Sequence, residues 1–297
     1  MKKSLVILAG IPRGGMEAWE SIYKNLVLSE NADLALCTEK NSTLNTDLKK
    51  KAKYLWLFDG YEDWKDYYVE NKLLLALDYL ALGKETGLYN SGIVVFALKD
   101  IIKRNYLEIL ENYDQIFFSR FDQLHTIKHP HLSKENIWFV EGEDYGGIND
   151  RHFAFPGKYS KYILDICNYI NTEKALQETP KIMNCESVWL RHLENTGIMD
   201  KAKRFKRTQF TVSHKGDFTR WRIAKYNLFL FKNIKIKYPS EFLTAMKNSV
   251  TELGLIKTYS LIPRLTFNYH FLRMRKIISV FLPRPLKNLF KKILNIY

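Results

Sequence analysis

The sequence predicts an α/β protein with a mostly parallel sheet, on three observations. Short apolar runs alternate with helical patterns over the first 120 residues, an order typical of parallel sheets. A glycine-rich loop, residues 10–15, separates the first apolar run from the first helical pattern. Charged residues cluster just past the ends of two later apolar runs, between residues 119 and 152. Ligands bind such sheets at the carboxyl ends of the strands, so this cluster is a candidate site.

The first unit is a strand, a loop and a helix. Residues 5–9 are apolar, the loop reads GIPRGG, and residues 16–28 place apolar side chains at helical spacing. Backbone N–H groups at such a helix start can hold phosphate, and Arg13 can pair with a phosphate or a carboxylate. The loop has neither a GxGxxG pattern nor a P-loop lysine, so an ordinary βα turn is the alternative.

The next elements continue the alternation of strands and helices. Residues 32–38 and 54–58 are predicted strands, and residues 64–82 and 93–109 are predicted helices. Asn90-Ser91-Gly92 caps the second of these helices, and Lys99 is a candidate position for a break in it. Their apolar stripes indicate packing in a core.

The densest polar cluster follows. A predicted strand over residues 115–119 ends in Arg120-Phe121-Asp122, and another over 137–140 ends in the acidic, glycine-rich residues 141–147. Asn149-Asp150-Arg151-His152 then opens a third apolar run. Asp, Gly and Asn also favour turns for their own reasons, so simple turn chemistry is the alternative. The density of carboxylates beside a histidine favours a functional site.

The remaining pattern predicts helices over residues 157–170 and 188–194 and a basic strand over 204–212. Composition changes afterwards, which predicts an α/β domain over residues 1–217 and a basic, aromatic-rich helical region over 218–297. The segment after Glu252 contains nine Lys or Arg residues and no Asp or Glu, so it supplies nine of the net +14 charges.

Composition also limits the compartment. The chain has 297 residues, 46% of them hydrophobic, enough for a sizeable core. Three scattered cysteines with no CxxC pair indicate neither a disulfide framework nor a zinc site, and favour a reducing cytosol. The first apolar run is too short for a signal peptide, and no run is long enough for a transmembrane helix.

The C-terminal segment predicts membrane contact. After Pro285, six apolar side chains fall on one helical face and basic side chains fall on the other. A basic amphipathic helix of this type lies in the plane of an anionic membrane, here the inner face of the cell membrane. A helix packed on its own domain, or a dimerisation helix, is the alternative. Nucleic acid is not an expected partner, since no nucleic-acid module is present.

These motifs resemble those of bacterial sugar transferases with the GT-A fold, from lipopolysaccharide and capsule assembly. The resemblance spans residues 5 to about 215 and rests on GIPRGG, on Tyr89-Asn90-Ser91-Gly92, on Ser119-Arg120-Phe121-Asp122 and on GEDYGGINDRH at residues 142–152. It implies a single Rossmann-like domain, a nucleotide-sugar donor and a saccharide or lipid-linked acceptor. On this resemblance we expect donor binding by Gly10, Pro12, Arg13, Ser91, Arg120 and Asp122, and acceptor binding by Glu143, Tyr145, His152 and Glu186.

The resemblance also implies a way to neutralise the leaving diphosphate. GT-A enzymes usually carry Asp-x-Asp for a divalent cation, but here Arg120 replaces the first Asp and only Asp122 matches. The expectation is Mn²⁺ or Mg²⁺ held by Asp122 and His214. Arg120 and Arg13 acting as fixed cations without metal are the alternative.

The chemistry further requires a group that accepts the proton of the acceptor hydroxyl. Asp144 and Asp150 are the candidates, because both lie in a glycine-bordered loop that can approach substrate closely. Arg151 would hold one of them in place or bind the diphosphate. Inverting and retaining reactions both stay open.

Two other functions compete. GIPRGG faintly resembles a phosphosulfate-binding loop of sulfotransferases, but the acidic cluster would repel an anionic donor. A non-enzymatic, membrane-associated adaptor would use the C-terminal helix as an anchor and the α/β domain as a binding module.

Overall fold

The structure is a computed structural model that describes residues 3–42, 46–82, 88–142, 144–178, 184–214, 216–217, 229–231 and 234–254. Glu143 and the expected amphipathic helix after Pro285 lie outside these residues. Within the described part, no helix combines the length and apolar character needed to cross a membrane.

The strands form two sheets. They are β1 (Ser4–Ala9), β2 (Ala32–Glu39), β3 (Tyr54–Phe58), β4 (Gln115–Ser119), β5 (Gln123–His125), β6 (Ile137–Val140), β7 (His152–Phe155), β8 (Ala202–Phe205), β9 (Gln209–His214), β10 (Phe229–Phe231) and β11 (Ile234–Ile236). The main sheet has the order β3-β2-β1-β4-β7-β6-β8 and the small sheet the order β10-β11-β9-β5. In the main sheet β7 runs antiparallel to both neighbours and the other pairs are parallel. The prediction of a mixed α/β fold with a mostly parallel sheet is confirmed.

The helices are α1 (Gly15–Ile22), α2 (Thr46–Lys51), α3 (Lys65–Glu70), α4 (Leu74–Leu80), α5 (Gly92–Glu111), α6 (Ser160–Ile163), α7 (Ile166–Ile170), α8 (Glu173–Glu178), α9 (Cys185–Asn195), α10 (Pro239–Asn248) and α11 (Val250–Leu253). A π-helical turn, Tyr23–Val27, continues α1, and 3₁₀ turns cover Gly157–Tyr159 and Ile198–Lys201.

The main sheet has a core on each face, because successive side chains of a strand point to opposite sides. In β1, Leu5 and Ile7 pack into the core that contains α5 and α9. Val6 and Leu8 pack into the core that contains α1 and α10. This two-sided burial explains why β1 is apolar without alternation.

Three element boundaries differ from the predictions. The helix expected over residues 64–82 is interrupted, because Lys72 has a left-handed φ of 57° between α3 and α4. The helix expected over 157–170 is a 3₁₀ turn followed by the short α6 and α7. The strand expected over 204–212 is two strands in different sheets, with Arg207 buried at the corner between them. In contrast, α5 continues through Lys99 without a break.

Part of the C-terminal region packs on strands that precede residue 217. β11 pairs antiparallel with β9, and Phe242 of α10 meets Phe210 edge-on with ring centroids 5.0 Å apart. The domain boundary at residue 217 stays a prediction, but residues 234–254 share the core formed by residues before it.

Candidate functional site

The register of the main sheet brings three loops together at the carboxyl ends of its parallel strands. Leu8 at the end of β1 pairs with Ser119 at the end of β4, and Ser119 pairs with His152 at the start of β7. The loop after β1, the Arg120–Asp122 turn and residues 149–151 therefore meet where the parallel strands end. A Cβ on Gly14 would lie 3.1 Å from the Asp122 Cα, and its φ is 94°, so the close approach of these loops requires glycine.

Arg120 and Asp122 form a forked ion pair at these strand ends. The Arg120 Nε donates to Asp122 Oδ1 at 3.0 Å, and its Nη2 donates to Oδ2. The Arg120 backbone N–H donates to the Arg151 carbonyl at 3.2 Å, which ties the two loops together. Burial would lower the pKa of Arg120, but Asp122 outweighs it and raises that pKa. Arg120 is therefore a permanent cation whose orientation Asp122 fixes.

Asp150 pairs with a lysine that sequence analysis missed. The Nζ of Lys99, in α5, lies 3.9 Å from Asp150 Oδ2 and 3.9 Å from the centroid of the Trp189 ring. Lys99 is fully buried, and its Nζ makes no hydrogen bond among the described residues. Burial lowers the pKa of Lys99, and Asp150 opposes that shift. A buried ammonium that is paired with a carboxylate and otherwise surrounded by aromatic rings is costly, which makes the Lys99–Asp150 pair a candidate for a functional site.

Arg151 belongs to a second network, built with the C-terminal region. Its Nη2 lies 2.9 Å from Glu241 Oε1 in α10, and Glu241 Oε1 also lies 3.4 Å from Arg207 Nη1. Glu241 Oε2 accepts from the Thr211 backbone N–H and hydroxyl, both at 2.9 Å. Burial would lower the pKa of Arg151, but Glu241 more than offsets it, so the pKa is raised. Glu241 thus fixes Arg151 at the edge of the sheet.

Two tyrosines flank Arg151, and a lysine lies against one of them. Its Cζ lies 5.2 Å from the Tyr145 ring centroid and 4.8 Å from that of Tyr238, distances typical of cation–π contacts. The Nζ of Lys237 lies 4.7 Å from the Tyr238 centroid. Burial, and then the positive charge of Arg120, lower the pKa of Lys237 to about 7. The positive charges of Arg120 and Arg151 both act to lower the pKa of Lys237.

Asp144 builds the loop rather than facing the edge of the sheet. Its Oδ1 accepts from the Asn149 backbone N–H at 3.1 Å and from Arg204 Nη1 at 2.8 Å. The loop then packs on the start of α9, where a Cβ on Gly147 would lie 2.1 Å from the Glu186 carbonyl carbon. Gly147 is required there, and these contacts deliver Asp150 to the edge of the sheet.

Ser91 and Glu186 lie at the starts of α5 and α9, beside the Lys99–Asp150 pair. Ser91 Oγ donates to Cys185 Sγ at 3.3 Å, and Cys185 Sγ donates to Glu186 Oε2 at 3.0 Å. Cys185 and Glu186 both interact electrostatically with Lys99. Among the remaining predicted donor residues, Gly10 donates its N–H to the Cys37 carbonyl, Pro12 is buried, and the Arg13 carbonyl accepts from Trp19 Nε1.

His152 points away from the loop edge. Its ring is buried against His129, with the two Nε2 atoms 3.0 Å apart, and against His125, with ring centroids 5.2 Å apart. Burial is the main cause that lowers the pKa of His152 well below its ordinary value. The ring packs in the core and not at the carboxyl ends of the strands, so we leave His152 out of the proposed binding site for the acceptor substrate.

The side chains expected to hold a divalent cation do not fit one. Both carboxylate oxygens of Asp122 accept hydrogen bonds from Arg120. The Nδ1 of His214 accepts from the Gly216 backbone N–H at 3.2 Å, and its ring packs against Gly15. No group of three or more His, Cys, Asp or Glu side chains among the described residues is placed to ligate a metal. The guanidinium of Arg120 instead lies on the carboxylate that a cation would use.

A separate cavity of about 420 Å³ lies at the amino ends of the parallel strands. Its lining includes Lys3, Tyr54 and Asp114, which stand at the amino ends of β1, β3 and β4. It is therefore remote from the residues at the carboxyl ends of these strands.

Glu241 is predicted to be the most sensitive side chain for stability, because it serves two buried arginines. We expect Glu241→Gln to lower the free energy of unfolding by about 3–5 kcal/mol, since it leaves buried cations uncompensated. Urea denaturation measures the loss. Glu252→Gln, on the exposed α11, removes the same charge and should change stability by less than about 0.5 kcal/mol. Equal effects of the two variants would refute the network.

Comparisons with known proteins find similarity to solved structures but no match by sequence. No protein-family model matches the chain, and no curated protein matches it. Among solved structures, the chain is similar to the apo form of mouse xyloside xylosyltransferase 1, with a TM-score of 0.40 and 9% sequence identity. The match covers 70% of this chain and 86% of the mouse chain.

Proposed function

We propose that the chain is a glycosyltransferase that moves a sugar from a nucleotide-sugar donor to a hydroxyl of a saccharide or lipid-linked acceptor. The single observation that supports this most is Asp150, a carboxylate held at the carboxyl edge of the sheet by a buried lysine and flanked by the fixed cations Arg120 and Arg151. A base beside fixed positive charge suits a reaction in which a hydroxyl attacks and an anion leaves.

The proposed step is a direct displacement. The acceptor oxygen forms a bond to the anomeric carbon while the bond from that carbon to the diphosphate breaks. The hydroxyl proton passes to Asp150, and the bonding electrons leave with the diphosphate, which faces Arg120 and Arg151. Asp150 is preferred to Asp144 as the base because Asp144 is already bonded to Asn149 and Arg204.

The acceptor side of the proposal uses the loop before β7. Tyr145 is 38% exposed beside Arg151, and a sugar ring can pack on such an aromatic face. Glu186 adjoins the same loop at the start of α9, since the Ile148 N–H donates to its carbonyl at 3.2 Å. Glu143, outside the described residues, completes the proposed acceptor set. We propose a role in lipopolysaccharide or capsule assembly on the resemblance of the sequence motifs.

Thermal stability of the purified protein against nucleotides tests the function. UDP, GDP, CMP, TDP and adenosine 3′,5′-bisphosphate are compared, because a ligand of the folded state raises Tm by mass action. We expect a nucleoside diphosphate at 100 times its Kd to stabilise the fold by about 2.7 kcal/mol. A shift with the adenosine bisphosphate alone would support a sulfotransferase, and no shift with any nucleotide would support an adaptor.

Peripheral association with the inner face of the cell membrane is also part of the proposal. It is supported by the nine basic residues after Glu252 and by the amphipathic pattern after Pro285. Removal of residues 283–297 should abolish sedimentation with anionic vesicles, and unchanged sedimentation would contradict a membrane role for that segment.

A further inference from the structure

The positive charge at the carboxyl edge comes from distant parts of the chain. Arg120 follows β4, Arg151 precedes β7, and Lys237 follows β11 in the C-terminal region. The Tyr238 ring joins the last two, because Arg151 Cζ and Lys237 Nζ lie within 4.8 Å and 4.7 Å of its centroid. Arg120 joins them through its backbone bond to Arg151 and through its charge, which acts on Lys237.

Cations outnumber carboxylates in this group. Arg120, Arg151 and Arg207 carry three positive charges, while Asp122 and Glu241 carry two negative charges. Lys237, whose pKa is lowered to about 7, adds a fourth positive charge when it is protonated, so the excess in this group is then two. Lys99 and Asp150 cancel each other. A diphosphate ester carries about two negative charges, so it would balance the excess and gain charge-assisted hydrogen bonds.

One N–H donor of this group, on Arg151, is held in place but makes no hydrogen bond to a described residue. Arg151 is buried, and its Nη1 has no hydrogen-bond partner among the described residues, although Nη2 is paired with Glu241. Leaving such a donor unpaired costs free energy, which an anionic ligand would recover. The aromatic contacts and Glu241 hold the guanidinium in place, so the ligand would not have to order it.

We propose that Arg120, Arg151 and Lys237 bind the diphosphate of the donor directly, in place of a divalent cation. The inference rests on the proposed function and gives its donor site a charge-neutralising mechanism. It follows from the occupation of Asp122 by Arg120, which puts a guanidinium where the family resemblance implies a metal. It also makes the region after residue 217 a part of the donor site through Lys237.

Inorganic pyrophosphate tests this site apart from any sugar transfer. Binding to the full chain is measured by calorimetry with excess EDTA, and again with Mn²⁺ at a concentration above that of pyrophosphate. We expect binding in EDTA, and we expect Lys237→Met to raise Kd at least about tenfold, the effect of losing one charged hydrogen bond. Lys237→Arg should restore most of the affinity. Lys247→Met, on the exposed face of α10, removes the same charge and should bind as the wild type does.

The outcomes separate this inference from the proposed function. Binding of pyrophosphate only with Mn²⁺, or equal affinity of Lys237→Met and wild type, would overturn the metal-independent site. Sugar transfer that requires Mn²⁺ would overturn it too and leave the glycosyltransferase standing. Tight pyrophosphate binding in EDTA, lost in Lys237→Met, would support the site even if no nucleotide sugar is turned over.

Discussion

Asp150→Asn should lower kcat/KM for sugar transfer by about 10²- to 10⁴-fold, the contribution of a positioned general base. The amide has nearly the same shape as the carboxylate but cannot accept the acceptor proton. Nucleotide binding should change little, because the proposed diphosphate contacts come from other side chains. The measurement is initial rate of nucleoside diphosphate release, together with Kd for the nucleotide.

Two matched variants separate catalysis from folding. Asp150→Asn leaves the Lys99 ammonium buried without its carboxylate, which is destabilising. The double variant Lys99→Met/Asp150→Asn removes both charges, so it should regain stability and remain inactive. Asp144→Asn should retain activity within about tenfold, because the Asp144 carboxylate serves Asn149 and Arg204. A larger loss in Asp144→Asn than in Asp150→Asn would reverse the assignment of the base.

Stability should fall steeply as the pH drops below 6.5, because three buried histidines resist protonation. Burial is the main cause that lowers the pKa of His125 to about 3, that of His192 to about 4 and that of His152 well below 6.5. Below pH 6.5 the unfolded chain binds protons that the folded chain does not, so folding loses free energy as the pH falls. At pH 5 the loss is about 2 kcal/mol each for His125 and His192, or about 4 kcal/mol together, and His152 shifts stability in the same direction.

A loss of that size approaches the lower end of the stability of a typical domain, about 5–15 kcal/mol. Urea denaturation at pH 7.5, 6.5, 5.5 and 5.0 measures it. Neither ring nitrogen of His125 has a hydrogen-bond partner among the described residues, so His125→Leu should remove about 2 kcal/mol of the loss at pH 5. His131→Gln should leave it unchanged, since the His131 side chain is 85% exposed. Constant stability from pH 7.5 to 5.0 would contradict the burial of these rings.

The framework of the fold was predictable because its signals are local. The apolar runs that became β1, β2 and β4 are largely buried on both faces, so they could be recognised without knowledge of their partners. The clustering of Arg120, Asp122, Asp150 and Arg151 also followed from sequence, since ligand crevices form at the carboxyl ends of strands.

The partners of these residues were not predictable, because they are distant in the chain. Lys99 lies in the middle of an apolar helix, and its pairing with Asp150 becomes apparent only in the folded structure. Glu241 is 90 residues from Arg151 and resembles an ordinary first-turn glutamate of α10. The ion pair at Asp122 is a local effect that the motif did not reveal, because Arg120 is two residues from Asp122 and folds back onto it. The burial of His152 was also not predicted, since alternation along β7 turns its ring into the core.

The most direct measurement is release of nucleoside diphosphate from a panel of nucleotide sugars by the full chain, with EDTA present and with a polysaccharide or lipid-linked acceptor fraction added. The proposed function predicts acceptor-dependent release from at least one donor, and the fixed cations predict that release persists in EDTA. Absence of release from every donor, with Mn²⁺ supplied in a parallel series, would contradict the assignment of the chain as a glycosyltransferase.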